Sequence, residues 1–305
     1  MDRMAASSTL LLLCSLLLCS YSFAAAPRKL VLVQQPPLVL KYHNGPLLRG
    51  NYTLSLLFYG RFSAAQRSIV VDFVRSLAPT GASLPPPSVA SWWRTTASYA
   101  GGDVHLSLGP QLLDESYSKG KLLSSSDIAA LAGKAAAGGG HRAIGVVVTD
   151  GDVAVEGFCS SRCGTHGRLA GSAGFVWVGD SARQCPGQCA WPFHQPIYGP
   201  QAPPLVAPSG DVGMDGVVIN LATLLAGAAT NPNGDGYFQG PADAPLEAVT
   251  ACTGVFGSGA SPGYPGKVLV DPTSGASYNA RGLGGRKYLL PAMWDPVTSQ
   301  CSTLV

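Results

Sequence analysis

The chain has 305 residues, a net charge of +3, only 12% charged residues, and 38 glycines with 24 prolines. A balance this small, with no run of Lys or Arg, argues against a nucleic-acid partner. The length supports one large core or two small ones, and the many turn-formers imply extensive loops around it.

The N-terminus sets the redox context. Arg3 precedes the apolar run TLLLLCSLLLC at 9–19, and small residues follow at Ser22, Ala24, Ala25 and Ala26. This is the form of a signal peptide, read here as 1–25 and cleaved, leaving one domain over 26–305. The run is shorter than the roughly 20 residues that span a bilayer. No later segment reads as a membrane span, and the C-terminal CSTLV carries no retention tetrapeptide. Secretion is the expectation. Asn51-Tyr52-Thr53 is the one glycosylation sequon, since Asn231 is followed by Pro232.

The 30–43 segment reads as two extended pieces broken by Pro36 and Pro37, then a turn at Asn44-Gly45-Pro46. YTLSLLFYG (52–60) reads as a strand. Ser63 to Gln66 has capping-box form, and Ile69, Val70, Phe73 and Val74 recur at helical spacing, which predicts a helix over 63–76. After the stiff LPPPS, a second helix is predicted over 88–98. DVHLSLG (103–109) alternates as a strand does. Ser124 and Asp127 open a helix over 126–136, and AIGVVVTD (143–150) is a β-branched buried strand. AGFVWVGD (173–180) is one more strand, and a helix is predicted over 216–229. The remainder after residue 151 reads as loop, turn and short strand. The fold class is therefore α+β: a single domain with a mixed sheet, packed helices and a loop-rich, disulfide-tied C-terminal half.

Eight cysteines fall to six once the leader is removed: Cys159, Cys163, Cys185, Cys189, Cys252 and Cys301. CSSRC and CPGQC share one spacing and have His166 and His194 nearby, which admits zinc. An even count in an oxidising compartment favours disulfides. The pairing expected is between the two CxxxC segments, with Cys252 joined to Cys301. That removes any thiol nucleophile next to His194, and no Gly-x-Ser-x-Gly elbow nominates a serine. His43, His105, His141, His166 and His194 are scattered along the chain. Asp150 and Asp152 follow a buried strand but read as an Asp-Gly turn. Asp211, Asp215, Asn231, Asn233 and Asp235 are rich in oxygen, yet NPNGDG lacks the full spacing of a calcium loop. No metal or other cofactor is expected. CPGQCAWPFHQPIYGP reads as a stapled loop. Trp191, Phe193, His194 and Tyr198 are its candidate surface contacts, with Trp191, Phe193 and Tyr198 either packing under it or presenting a surface.

Several long motifs carry a family resemblance: LVLKYHNGPLL, CGTHG, CPGQCAWPFHQPIYGP, NPNGDGYFQG and GRKYLLPAMWDP. Together they resemble the EXORDIUM and phosphate-induced protein family of plants from about residue 30 to Val305. The resemblance implies a secreted protein of the apoplast or cell wall that promotes cell expansion and growth, linked to brassinosteroid response and carbon status. It implies no catalytic activity. The partner would be a cell-wall glycan, peptide or receptor. Separately, LATLLAGAATNPNGDGYF (221–238) is similar to a helix-and-loop segment of some zinc metallopeptidases. On that pattern the metal-binding histidine falls on Thr223, the general base on Leu224 and the next ligand on Gly227, so a zincin-like fold would carry a degenerate site. The alternative is a buried helix whose small residues permit close packing. Two further readings stay open. A hydrolase with an unrecognised site predicts that His, Asp and Glu converge in one pocket. A carbohydrate-binding protein predicts an exposed platform from Trp92, Trp93, Trp191 or tyrosines.

Overall fold

Alternation along one strand organises the molecule. The structure, a computed structural model, describes residues 38–78, 84–160, 162–196, 198–199, 201–242 and 244–305. The leader and the first of the two extended pieces fall outside them. β1 (Gly50–Tyr59) points Leu54, Leu56 and Phe58 to one face and Leu57 and Tyr59 to the other. Both faces are buried, so β1 needs helices on either side.

α1 (Ala64–Leu77) follows, opened by the Ser63–Gln66 capping box. α2 (Val89–Trp93) continues as a 3₁₀ turn through Ser98. β2 (Val104–Asp114) runs five residues beyond the predicted strand. α3 (Ser125–Ala136) has the expected serine cap, and β3 (Ala143–Thr149) is buried throughout. β4 (Gly164–Gly167), β5 (Gly174–Gly179) and α4 (Val212–Thr230) complete the set. The sheet order is β2-β1-β3-β5-β4, with β4 alone antiparallel at the edge. This is the mixed sheet of the α+β class.

α1 and α4 cover one face, where Val70, Phe73, Val217, Leu221 and Leu225 meet Leu56, Phe58, Val146 and Val178. α3 covers the other, where Ile128, Leu131 and Ala135 meet Leu57, Val147 and Trp177. β4 has no counterpart among the predicted strands, because Gly-Thr-His-Gly shows neither β-branched enrichment nor alternation. Pairing of His166 with Val176 and Thr165 with Trp177 makes it a strand.

α4 corrects one reading. It is 19 residues long and apolar enough to cross a membrane by length and composition, contrary to the expectation that no segment after the leader is. In the fold it is a mostly buried core helix that packs against the sheet. Small residues allow that fit: Gly216 packs against Ala190, and Asn220 Nδ2 donates to Cys189 O at 2.7 Å.

After α4 the chain forms two- and three-residue strand pairs, and polar side chains organise it. Asn279 is buried, donating to Phe256 O and Leu290 O while accepting from Leu290 N–H. Trp92 Nε1 donates to Pro291 O at 2.7 Å, and Tyr99 OH donates to Trp294 O at 2.5 Å. These bonds satisfy buried groups and attach the loop-rich half to the sheet. Three disulfides are present: Cys159–Cys185 and Cys163–Cys189 join the two CxxxC segments, and Cys252–Cys301 ties the C-terminal strand to the loops after α4. Among the described residues every cysteine is bonded.

Candidate functional site

The two CxxxC segments are tied to each other by parallel bridges of equal separation, 26 residues each. The second segment carries the chain into Trp191. Its ring lies 5.7 Å from that of Phe256 and borders an open groove of about 660 Å³ with Gln188, Pro196, Tyr198, Gly254 and Pro262. Tyr198 is 86% exposed, and Trp191 is half-buried. His194 is exposed, with Nδ1 at 2.9 Å from Gln195 O. Phe193 departs from the surface role considered for it. It is 4% exposed and packs with Ile219, Phe256 and Leu289, since a large apolar ring beside the end of a clamped segment has an adjacent core to enter. Trp92 and Trp93 are also buried, so of the three tryptophans considered only Trp191 reaches the surface, and Tyr198 and Tyr264 are the exposed tyrosines among the described residues.

A second cleft, of about 620 Å³, lies between β4 and the C-terminal end of α4. His166 Nε2 stands 2.9 Å from Glu247 Oε2. Asn231 Nδ2 donates to Glu247 Oε1 at 2.7 Å, and Asn231 Oδ1 accepts from Gly236 N–H at 2.7 Å. Asn231 is therefore the hub of the NPNGDG turn. Three elements meet at Glu247: the edge strand, the end of α4 and the returning loop. His166 Nδ1 is buried and bonds no described group.

The positions of the degenerate site lie on α4, whose end borders this cleft. The Thr223 hydroxyl donates to Ile219 O at 2.8 Å, an intrahelical bond. Leu224 lines the cleft. A Cβ on Gly227 would stand 2.6 Å from Glu247 Oε2 and 2.7 Å from His166 Nε2. The pair thus occupies the space that a ligand side chain at 227 would need. The three residues supply no nitrogen, sulfur or carboxylate donor, so the donor set does not fit zinc. Among the described residues no group of three His, Cys, Asp or Glu could hold a metal ion.

The remaining candidates are dispersed. His43 stacks on Phe238 at 3.9 Å, while His105 and His141 are exposed. Asp150 accepts from Arg61 N–H at 2.9 Å, and Asp152 pairs with Lys121 and accepts from the Tyr117 hydroxyl. Asp211 caps α4, and Asp215 accepts from the Ser209 hydroxyl and amide, each at 2.8 Å. Burial pushes Asp215 up to about 6. Asn231 follows α4, so a helix of roughly 28 Å separates it from the Asp211 end, and these oxygens form no common calcium site. Asn51 begins β1 with its side chain exposed. Sequence reasoning missed Glu247, which no motif marks; only its meeting with His166 identifies it.

The molecule is thus a disulfide-clamped α+β domain whose central helix carries no zinc donor at Thr223, Leu224 or Gly227 and whose described surface includes an aromatic and a polar cleft. Comparison with known proteins gives its family. Residues 40–304 match the phosphate-induced protein 1 conserved region. The chain is 61% identical over 283 residues to Protein EXORDIUM-like 2 of Arabidopsis thaliana, covering 90% of this chain and 92% of that protein. It is 55% identical over 302 residues to Protein PHOSPHATE-INDUCED 1 of Nicotiana tabacum, covering 94% and 95%. It is 55% identical over 284 residues to Protein EXORDIUM of Arabidopsis thaliana, covering 88% and 90%. The chain belongs to the EXORDIUM, or phosphate-induced protein 1, family. No solved structure matches it.

Proposed function

We propose that this is a secreted protein of the apoplast and cell wall that promotes cell expansion and growth in connection with brassinosteroid response and carbon status. It works by binding, with a cell-wall glycan as partner. The carrying observation is the groove at Trp191 and Tyr198, an aromatic surface left open on a segment held by two disulfides. A rigid aromatic beside an exposed tyrosine suits the apolar face of a sugar ring, and preorganisation lowers the ordering cost of binding. The bonded cysteines support an oxidising compartment. The exposed Asn51 sequon supports a glycosylated surface.

The test is a screen of cell-wall fragments on the purified mature protein, with Trp191→Ala and Tyr198→Ala beside it. Binding of a neutral oligosaccharide should weaken about tenfold in Trp191→Ala, the loss of roughly 1.4 kcal/mol. Turnover of a fragment, or sugar binding indifferent to both substitutions, would overturn this reading.

A further inference from the structure

The cleft beside β4 has features that the aromatic groove does not use. Alternate residues of a strand share a side. A Cβ on Gly164 would meet Leu224, and His166 lies against Gly227, so the even-numbered side of β4 faces α4. Arg162 precedes β4 across a bend at Cys163, with its guanidinium beside Gly157, Arg168 directly follows β4, and both line the cleft. Both are exposed, and among the described residues neither forms an ion pair. Glu247, the one acid among the described lining residues, is already engaged by His166 and Asn231. It does not neutralise either guanidinium.

An accessible, unneutralised guanidinium on a concave wall is a site for a carboxylate, which it grips through two parallel N–H donors. The two arginines flank the four-residue β4, which spans about 13 Å. A linear molecule with repeating carboxylates can engage each. Between them Asn233 adds an amide for hydroxyl groups, and Pro232 and Pro245 add flat apolar walls. Arg162 stands between Cys159 and Cys163, both disulfide-bonded, which fixes its backbone before any ligand arrives.

We propose that this cleft binds a linear uronic-acid oligosaccharide, with Arg162 and Arg168 pairing with carboxylates at its two ends. The inference rests on the reading of the protein as an extracellular glycan binder and assigns it a second, charge-selective site. The experiment titrates the full mature protein with four probes: a linear oligogalacturonide, its methyl ester, a neutral glucan oligomer and polyglutamate. The variants are Arg162→Gln, Arg168→Gln and the double substitution. Arg75→Gln, an exposed arginine on α1, controls for loss of one charge, and circular dichroism checks folding.

The oligogalacturonide should bind most tightly, weaken as salt is raised, and lose about tenfold affinity per arginine removed. The methyl ester should bind no better to the native protein than the acid does to the double variant. Equal binding of acid and ester, an equal loss in Arg75→Gln, or preference for polyglutamate would overturn the assignment. If the neutral oligomer still binds through the Trp191 groove in that case, only this inference falls. If no wall fragment binds at all, the broader reading falls with it.

Discussion

At the scale of single residues, Gly227 and Asn231 carry the most testable geometry. Any side chain at 227 must displace the His166–Glu247 pair, because its Cβ would lie within 3 Å of both. Gly227→Ala should destabilise the fold by about 1–3 kcal/mol through this overpacking. Urea melts check this, and an unchanged midpoint would contradict the packing described. Asn231→Ala removes the acceptor of the buried Gly236 N–H and one donor to Glu247. It should cost about 2 kcal/mol, read in the same melts. Asp215 gives a pH signature. Burial raises it to about 6 against the bonds from Ser209, so the folded chain holds this proton more tightly than the unfolded one. The stabilisation is complete below the unfolded value near 4 and is lost as pH rises through about 6. Asp180, also raised by burial, acts in the same direction. Asp215→Asn should remove about 2 kcal/mol of the stability difference between about pH 4 and about pH 7. Unfolding midpoints at both pH values decide it, and parallel profiles for the two proteins would rule it out.

At the scale of elements, the disulfides matter in proportion to the chain they close. Cys252–Cys301 spans 49 residues and holds the strand Gln300–Ser302 beside the segment that follows Glu247. Replacing both cysteines by serine should cost about 4 kcal/mol on the loop-entropy relation. Thermal melts of the double variant test this, and a change below about 1 kcal/mol would mean that packing alone holds the tail. The two 26-residue bridges act on a different element. They fix the segment bearing Trp191 to the Cys159–Cys163 segment ahead of β4, while Asn220 of α4 donates to Cys189 O. Their loss should therefore weaken glycan binding at that groove before it unfolds the sheet.

For the whole molecule, the burial of both sheet faces and the bonding of every described cysteine make one prediction about the mature protein. Intact mass spectrometry after alkylation without reduction should show no added label. The same spectrum should place the new N-terminus near Ala24 or Ala25 and show whether Asn51 carries a glycan. Labelled thiols in the native protein would remove the argument for export.

Much of this was legible in the sequence, and for local reasons. Helix caps at Ser63 and Ser124, the β-branched run at 143–149 and the apolar periodicity of α1 are encoded within a few residues. The spacing and even number of the cysteines pointed to cross-links between the CxxxC segments. β4 and Glu247 were illegible because their roles depend on partners far along the chain: Val176 and Trp177 for the strand, His166 and Asn231 for the acid. Burial of Phe193, Trp92 and Trp93 likewise depended on which surfaces the C-terminal loops covered. Short-range backbone preference belongs to the sequence; the pairing of distant polar groups and the choice of which aromatics stay wet belong to the tertiary structure, because only folding brings their partners within reach.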